Sequence, residues 1–267
     1  MDATYEHTLE VLDEANWEYA HRLFQCVTVA SRPLRVEELA EFLAFDLTTG
    51  SLPDFLPDCR AEDPREAVLS TCSSLLVVVN VDGFPVVQFS HFSVKEFLMS
   101  GRLNKATDTI SRYRVLMEPS HIFVAQACLS VLLELDPSLD ESSIKQFSLA
   151  RYAAQHWVDH ANYEDVSLQV GIEHLLDPSR PHFAIWTWIT DLFLRVSLST
   201  VFQNPSLLVR APVNHATLCG CQAVEELLAV QPSQEVDPWV SSFFQSLFYM
   251  ASEKEHLALY SFFKCTA

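Results

Sequence analysis

Glycine is nearly absent, at five in 267 residues. So few leave no room for a collagen-like repeat or a glycine-rich tract, and an apolar share of 49% with 19% charged residues is the balance of a folded chain. Basic charge is scarce too. Seventeen Lys and Arg stand against thirty-five Asp and Glu, a formal charge of -18. Such a surface repels phosphate backbones and anionic headgroups, which disfavours nucleic acid and membrane as partners. Of the five lysines none follows a glycine, so there is no Gly-x-x-x-x-Gly-Lys-Ser/Thr loop and the phosphate cradle of an ATPase is missing. Gly-x-Ser-x-Gly and Gly-x-Gly-x-x-Gly are missing as well, and with them the usual serine-nucleophile and dinucleotide signatures. The expectation is a non-enzyme without a cofactor.

Long apolar runs are also lacking. The most membrane-like stretch, 183–202, is broken by Asp191 and Arg195, one helical turn apart, and reads as a buried helix. The seven cysteines are scattered, odd in number and preceded by no secretory leader, which predicts reduced thiols in a cytoplasmic protein. Cys26, Cys72 and Cys128 sit at helical spacing among apolar neighbours and read as core residues.

The fold class expected from what is present is mainly α. In 14–30, Trp17, Ala20, Leu23, Phe24 and Val27 make one stripe of period near 3.6, an amphipathic helix. A short extended piece, 33–36, precedes a second helix, 37–45. A Pro- and Asp-rich loop then runs to Asp63-Pro64-Arg65-Glu66, which opens a third helix. LLVVVNV and PVVQF flank Asp82-Gly83, a hairpin signal, and Pro85 places the second strand at an edge. Ser93-Val94-Lys95-Glu96 reads as a capping box opening the next helix. Helix, short strand, two helices, hairpin, helix is a winged-helix order.

From 119 onward helix follows helix: 120–135, 149–162, 166–176 and 182–198, with Pro137, Pro178 and Pro181 between them. The tail holds a weak repeat in which Ala216, Val224, Leu227 and Leu228 align with Ala251, Leu259, Phe262 and Phe263 at an offset of 35 residues. Ankyrin repeats run at about 33 with a Thr-Pro-Leu-His-x-Ala opening. Here Pro212 and Ala216 of that opening remain, and Gly220 suits the turn between paired helices. The organisation expected is a linker or helix start (1–13), a winged-helix module (14–112), an α-helical region (113–205) and two degenerate ankyrin-like repeats (206–267).

HRLFQCVTVASRPLRVEELAEFLAF, QFSHFSVKEFLMSGRL and RYAAQHWVDHA resemble, in that order, the region after the nucleoside-triphosphatase domain of fungal NACHT-type proteins. DATYEHTLE resembles the segment that joins that ATPase to its winged helix. The family belongs with the NLR and STAND signalling ATPases, and many members carry C-terminal ankyrin repeats. The resemblance implies nucleotide-switched, oligomerising sensing of partners. Without a P-loop this chain implies a regulatory, protein-interaction part, its ATPase domain supplied in trans or upstream of Met1. The competing function is a winged-helix DNA binder, which the topology permits and the acidic start of the third helix disfavours.

His91 is the candidate site residue. It lies between a strand and a helix N-terminus, where amides and imidazole together suit a phosphate. The resemblance implies this too, since the winged-helix histidine at that junction contacts the diphosphate of ADP in related ATPases. The plainer reading is a hydrogen-bonded boundary histidine. His156 and His160 have the spacing of a zinc-protease helix, but Trp157 replaces the base and no third ligand is near. An aromatic packing face is the better account. Cys219 and Cys221 with His215 lack the second pair that a zinc site needs. Glu37-Glu38 and the acids from Asp58 to Asp63 read as solvated faces and loops.

Overall fold

The computed structural model describes residues 2–190, apart from 13, 48–51, 73, 162–165, 177–179, 184 and 187. The chain opens with helix α1 (Asp2–Glu10), then α2 (Trp17–Val29). Ala20, Leu23 and Phe24 are buried along the apolar stripe of α2, and Trp17 and Val27 pack beside them. Strand β1 (Leu34–Arg35) leads into α3 (Val36–Glu41). The Glu38 carboxylate reaches back to the Arg35 N–H at 2.8 Å, satisfying a donor that the first turn leaves over.

The expected 46–63 loop contains a feature that alternation could not predict. Two strands of two residues, β2 (Phe45–Asp46) and β3 (Asp54–Phe55), pair antiparallel. Their register is set by the Phe45 and Phe55 rings, 5.1 Å apart, rather than by a repeating pattern. Helix α4 (Pro64–Cys72) begins where the capping signal placed it, with Asp63 Oδ1 accepting from the Glu66 N–H at 3.0 Å.

Strands β4 (Leu76–Val81) and β5 (Phe84–Phe89) form the hairpin. Asp82 and Gly83 both have positive φ, 51° and 84°, as a type I′ turn demands. The expectation for Pro85 needs correction. β5 is the central strand, in the order β1-β5-β4, and β1 pairs only with Val86 and Val87. Next to a two-residue turn the hydrogen-bonded pair is Val81 with Phe84, so Pro85 opposite Asn80 sits in a non-bonded pair with its nitrogen turned away from β4. On that side β1 has already ended. A central strand therefore tolerates this proline.

Helices α5 (Phe92–Met99) and α6 (Asp108–Ser111) complete the first unit, and α1 packs against both. The second unit is built on α7 (Met117–Glu134), which packs against α2 on one side and against α8 (Ala150–Ala161) and α9 (Val166–Leu176) on the other. Phe123, Val124, Ala125, Ala127, Cys128, Leu129, Val131 and Leu132 are all buried. A helix apolar on every side is one that is covered on every side. One hydrophobic core thus runs through both units.

Described residues between 182 and 190 are helical, and Trp186 meets Trp157 edge-on at 5.5 Å while its indole N–H donates to Ala154 O at 3.0 Å. Among the described residues no helix is long and apolar enough to cross a membrane. The repeat positions Pro212, Ala216, Gly220, Val224, Leu227, Leu228, Ala251, Leu259, Phe262 and Phe263 lie outside the described residues, as do Asp191 and Arg195.

Candidate functional site

Three polar side-chain clusters stand out, and two of them hold the first unit against the second. At the end of α3 the buried Glu41 accepts from the Ser148 and Leu149 N–H groups, at 3.0 and 2.8 Å, and pairs with Arg60 at 3.0 Å. Burial pushes its carboxyl up, and the two amides and Arg60 pull it back down. One carboxylate thereby ties α3, the loop before α4 and the approach to α8. A second carboxylate lies one turn earlier. Glu37 is exposed as expected, but Glu38 is 2% exposed and takes both Arg32 nitrogens at 2.6 and 2.7 Å. This corrects the expectation of a solvated face: the partner of Glu38 stands six residues back, a spacing that no helical pattern flags.

The third cluster crosses from the α2–β1 loop to α7 and α8. The Ser31 N–H donates to the Tyr152 hydroxyl at 3.0 Å. Tyr152 meets His160 Nε2 at 2.8 Å, and His160 Nδ1 meets His121 Nδ1 at 2.9 Å. Two facing ring nitrogens share one proton, so neutral imidazoles suit the contact. Burial, then the neighbouring His121, lowers His160 to about 3. His156 takes a different partner, Asp159 at 2.9 Å. The spacing of a zinc helix serves packing here, and among the described residues no group of three His, Cys, Asp or Glu is placed to hold a metal.

His91 stands at the start of α5 and is exposed. It is the N-cap itself, accepting from the Ser93 N–H through Nδ1 at 3.2 Å and meeting Ser93 Oγ at 2.6 Å. The expected capping box at Ser93 is thus displaced by two residues. Ser93 lies inside the first turn, where its hydroxyl also meets Tyr5 of α1 at 2.7 Å. A phosphate at this terminus would compete with His91 for the Ser93 amide. Nε2 remains the ring atom for which no partner is found among the described residues.

Strand order, hairpin and helix sequence are now in place. Residues 10–109 match the family model described as GPI inositol-deacylase, winged helix domain. This part of the chain is a winged helix domain. A second likeness is broader and weaker: the chain is 27% identical over 235 residues to azaphilone pigments biosynthesis cluster protein L of Monascus ruber. The match covers 84% of this chain and 49% of that protein, so the chain spans about half the length of this curated relative. No solved structure matches.

In a winged helix the helix before the hairpin is the one that enters a DNA groove. Here that helix is α4, whose exposed start carries Arg65 between Glu62, Asp63 and Glu66. Elsewhere the winged helix packs on the second unit and on itself. α2 is covered by α7, and Lys95 of α5 donates to Thr28 O at 2.7 Å. Replacing Ser93 with Ala is expected to lower stability by about 1 kcal/mol through loss of the Tyr5 bond. Tyr5→Phe should then add almost nothing in that background. Urea unfolding of the single and double variants measures this coupling, and fully additive losses would count against the bridge.

Proposed function

We propose that this chain is a non-catalytic regulatory and protein-interaction segment: a winged helix clamped to a helical platform, acting beside a NACHT-type nucleoside-triphosphatase domain. That domain would come from another polypeptide or from sequence upstream of Met1, and the site of action would be the cytoplasm. The observation that carries this reading is the surface of α4. One arginine among Glu62, Asp63 and Glu66 cannot neutralise the phosphates lining a groove, so the DNA-binding use of the fold has no electrostatic basis. Support also comes from the curated relative, twice as long as the matched region, which leaves room for further domains. In this reading 206–267 supplies ankyrin-like repeats that contact partners, and His91 Nε2 is the atom able to sense a nucleotide phosphate presented in trans.

The test is a pair of titrations at physiological ionic strength. Duplex DNA should show no sub-micromolar binding, and a purified NACHT nucleoside-triphosphatase domain from the same organism should co-migrate with the chain on gel filtration. Sub-micromolar DNA affinity that falls steeply with salt would reverse the assignment in favour of a winged-helix DNA binder.

A further inference from the structure

The hydrogen bonds that run from Ser31 to His121 have a direction. The Tyr152 oxygen accepts from the Ser31 N–H at 3.0 Å, so its own hydrogen goes to His160 Nε2 at 2.8 Å. His160 therefore carries its proton on Nδ1, which faces His121 Nδ1 at 2.9 Å. His121 is the acceptor that ends the chain of bonds. Three elements meet along it: the α2–β1 loop at Ser31, α8 at Tyr152 and His160, and α7 at His121. Tyr152 and His160 are fully buried and His121 is half-buried. Of the two imidazoles, His121 is the one that solvent reaches.

Charges act on this pair from several sides. Lys95 of α5, whose Nζ donates to Thr28 O at 2.7 Å, opposes a proton on His121. On α8, His156 opposes a charge at His160 and Asp159 favours one, and those two pair with each other at 2.9 Å. From the first unit Arg32 lies over the Tyr152 ring at 5.0 Å, its fork held by Glu38 of α3. Helix α9 also packs on α7, but its His174 acts on His182. A proton added to His121 sets Nδ1–H against the Nδ1–H of His160, two donors across 2.9 Å. Once that contact opens, His160 Nδ1–H is a buried donor without an acceptor, and turning the ring to satisfy it gives up Tyr152. We propose that these bonds form an acid-operated latch: a proton taken up from solvent by His121 releases the α2–β1 loop from α8, a local opening that undoes one of the two ties between the winged helix and the helical platform. The latch holds His121 neutral, so it is complete above the ordinary value of 6.5 and weakens as pH falls below it. This adds regulation to the reading above and does not depend on the partner named there.

The test is hydrogen exchange of the full chain at pH 7.5 and at pH 5, read by mass spectrometry and corrected for the chemical exchange rate. Protection of peptides that carry the Ser31 amide should fall by about tenfold at pH 5, the bias expected when a histidine is held neutral in the closed form and titrates normally in the open one. The β4–β5 hairpin should keep its protection, because the opening is local. His121→Gln offers an acceptor that takes no proton, so the Ser31 peptides should stay protected at both pH values. His121→Lys places a lasting cation and donor there, and these peptides should lose protection already at pH 7.5 with the hairpin intact. Equal losses in the parent and in His121→Gln overturn the proposal. Unchanged protection of the parent at pH 5 overturns it too, since the bonds then reverse direction instead of opening. Loss at the hairpin in step with the Ser31 peptides overturns it in favour of global unfolding.

Discussion

Glu41→Ala should be among the most destabilising single substitutions in the described region, lowering stability by about 3–5 kcal/mol. The carboxylate is 5% exposed and serves three donors. Removing it leaves Arg60 without its charge partner and strands two backbone N–H groups at the approach to α8. Each orphaned buried donor is worth about 1–3 kcal/mol. Glu41→Gln keeps one acceptor oxygen and should lose less than half as much. Pairing Glu41→Leu with Arg60→Leu removes the uncompensated charge but not the orphaned amides, so the double variant should recover only part of the loss. Urea unfolding followed by tryptophan fluorescence reads all of these. If Glu41→Ala unfolds within about 1 kcal/mol of the parent, the carboxylate does not tie the two units together.

Stability should also fall as pH is lowered from near 6.5 toward 3, with His160 as a main contributor. In the folded chain His160 is held at about 3, against an ordinary value of 6.5. Between those values the unfolded chain binds a proton that the folded chain does not, so unfolding gains as pH drops. The stabilisation is therefore complete above the unfolded value and is lost on the way down to the folded one. At pH 4 the expected loss from this residue is roughly 3 kcal/mol. His121 and His21, lowered first by burial, add to the same slope. His160→Gln keeps a neutral hydrogen-bonding side chain and removes the titration. Its stability between pH 7 and pH 4 should fall by markedly less than the parent's, and parallel curves for the two proteins would show that His160 does not remain neutral in the fold.

Local chemistry made several elements legible from the residues alone. Asp82-Gly83 announced a turn because few pairs accept positive φ twice, and both positions have it. Asp63-Pro64 announced the start of α4 because the cap and the proline act within one turn. Cys26 and Cys128 were readable as core by their spacing, and both are buried with thiols raised by that burial. The misreadings share a cause. Ser93 has the pattern of a cap, yet Tyr5, 88 residues earlier, holds its hydroxyl. Glu37-Glu38 looks like a solvated acidic face, yet Arg32 turns Glu38 inward; no local pattern singles out Glu41, whose partners are Arg60 and two amides more than 100 residues downstream.

Periodicity, capping and turn chemistry act over a few residues, and by themselves they determined the mainly helical class and the winged-helix order. The sequence alone could also name His91 as a residue at a strand-to-helix junction. Only the tertiary structure decided which nitrogen of His91 is engaged and which carboxylates are buried. The reason is physical. The charge state and partners of a side chain depend on what is packed against it, and here the partners come from segments more than 100 residues apart, brought together by the packing of α2 and α8 against α7.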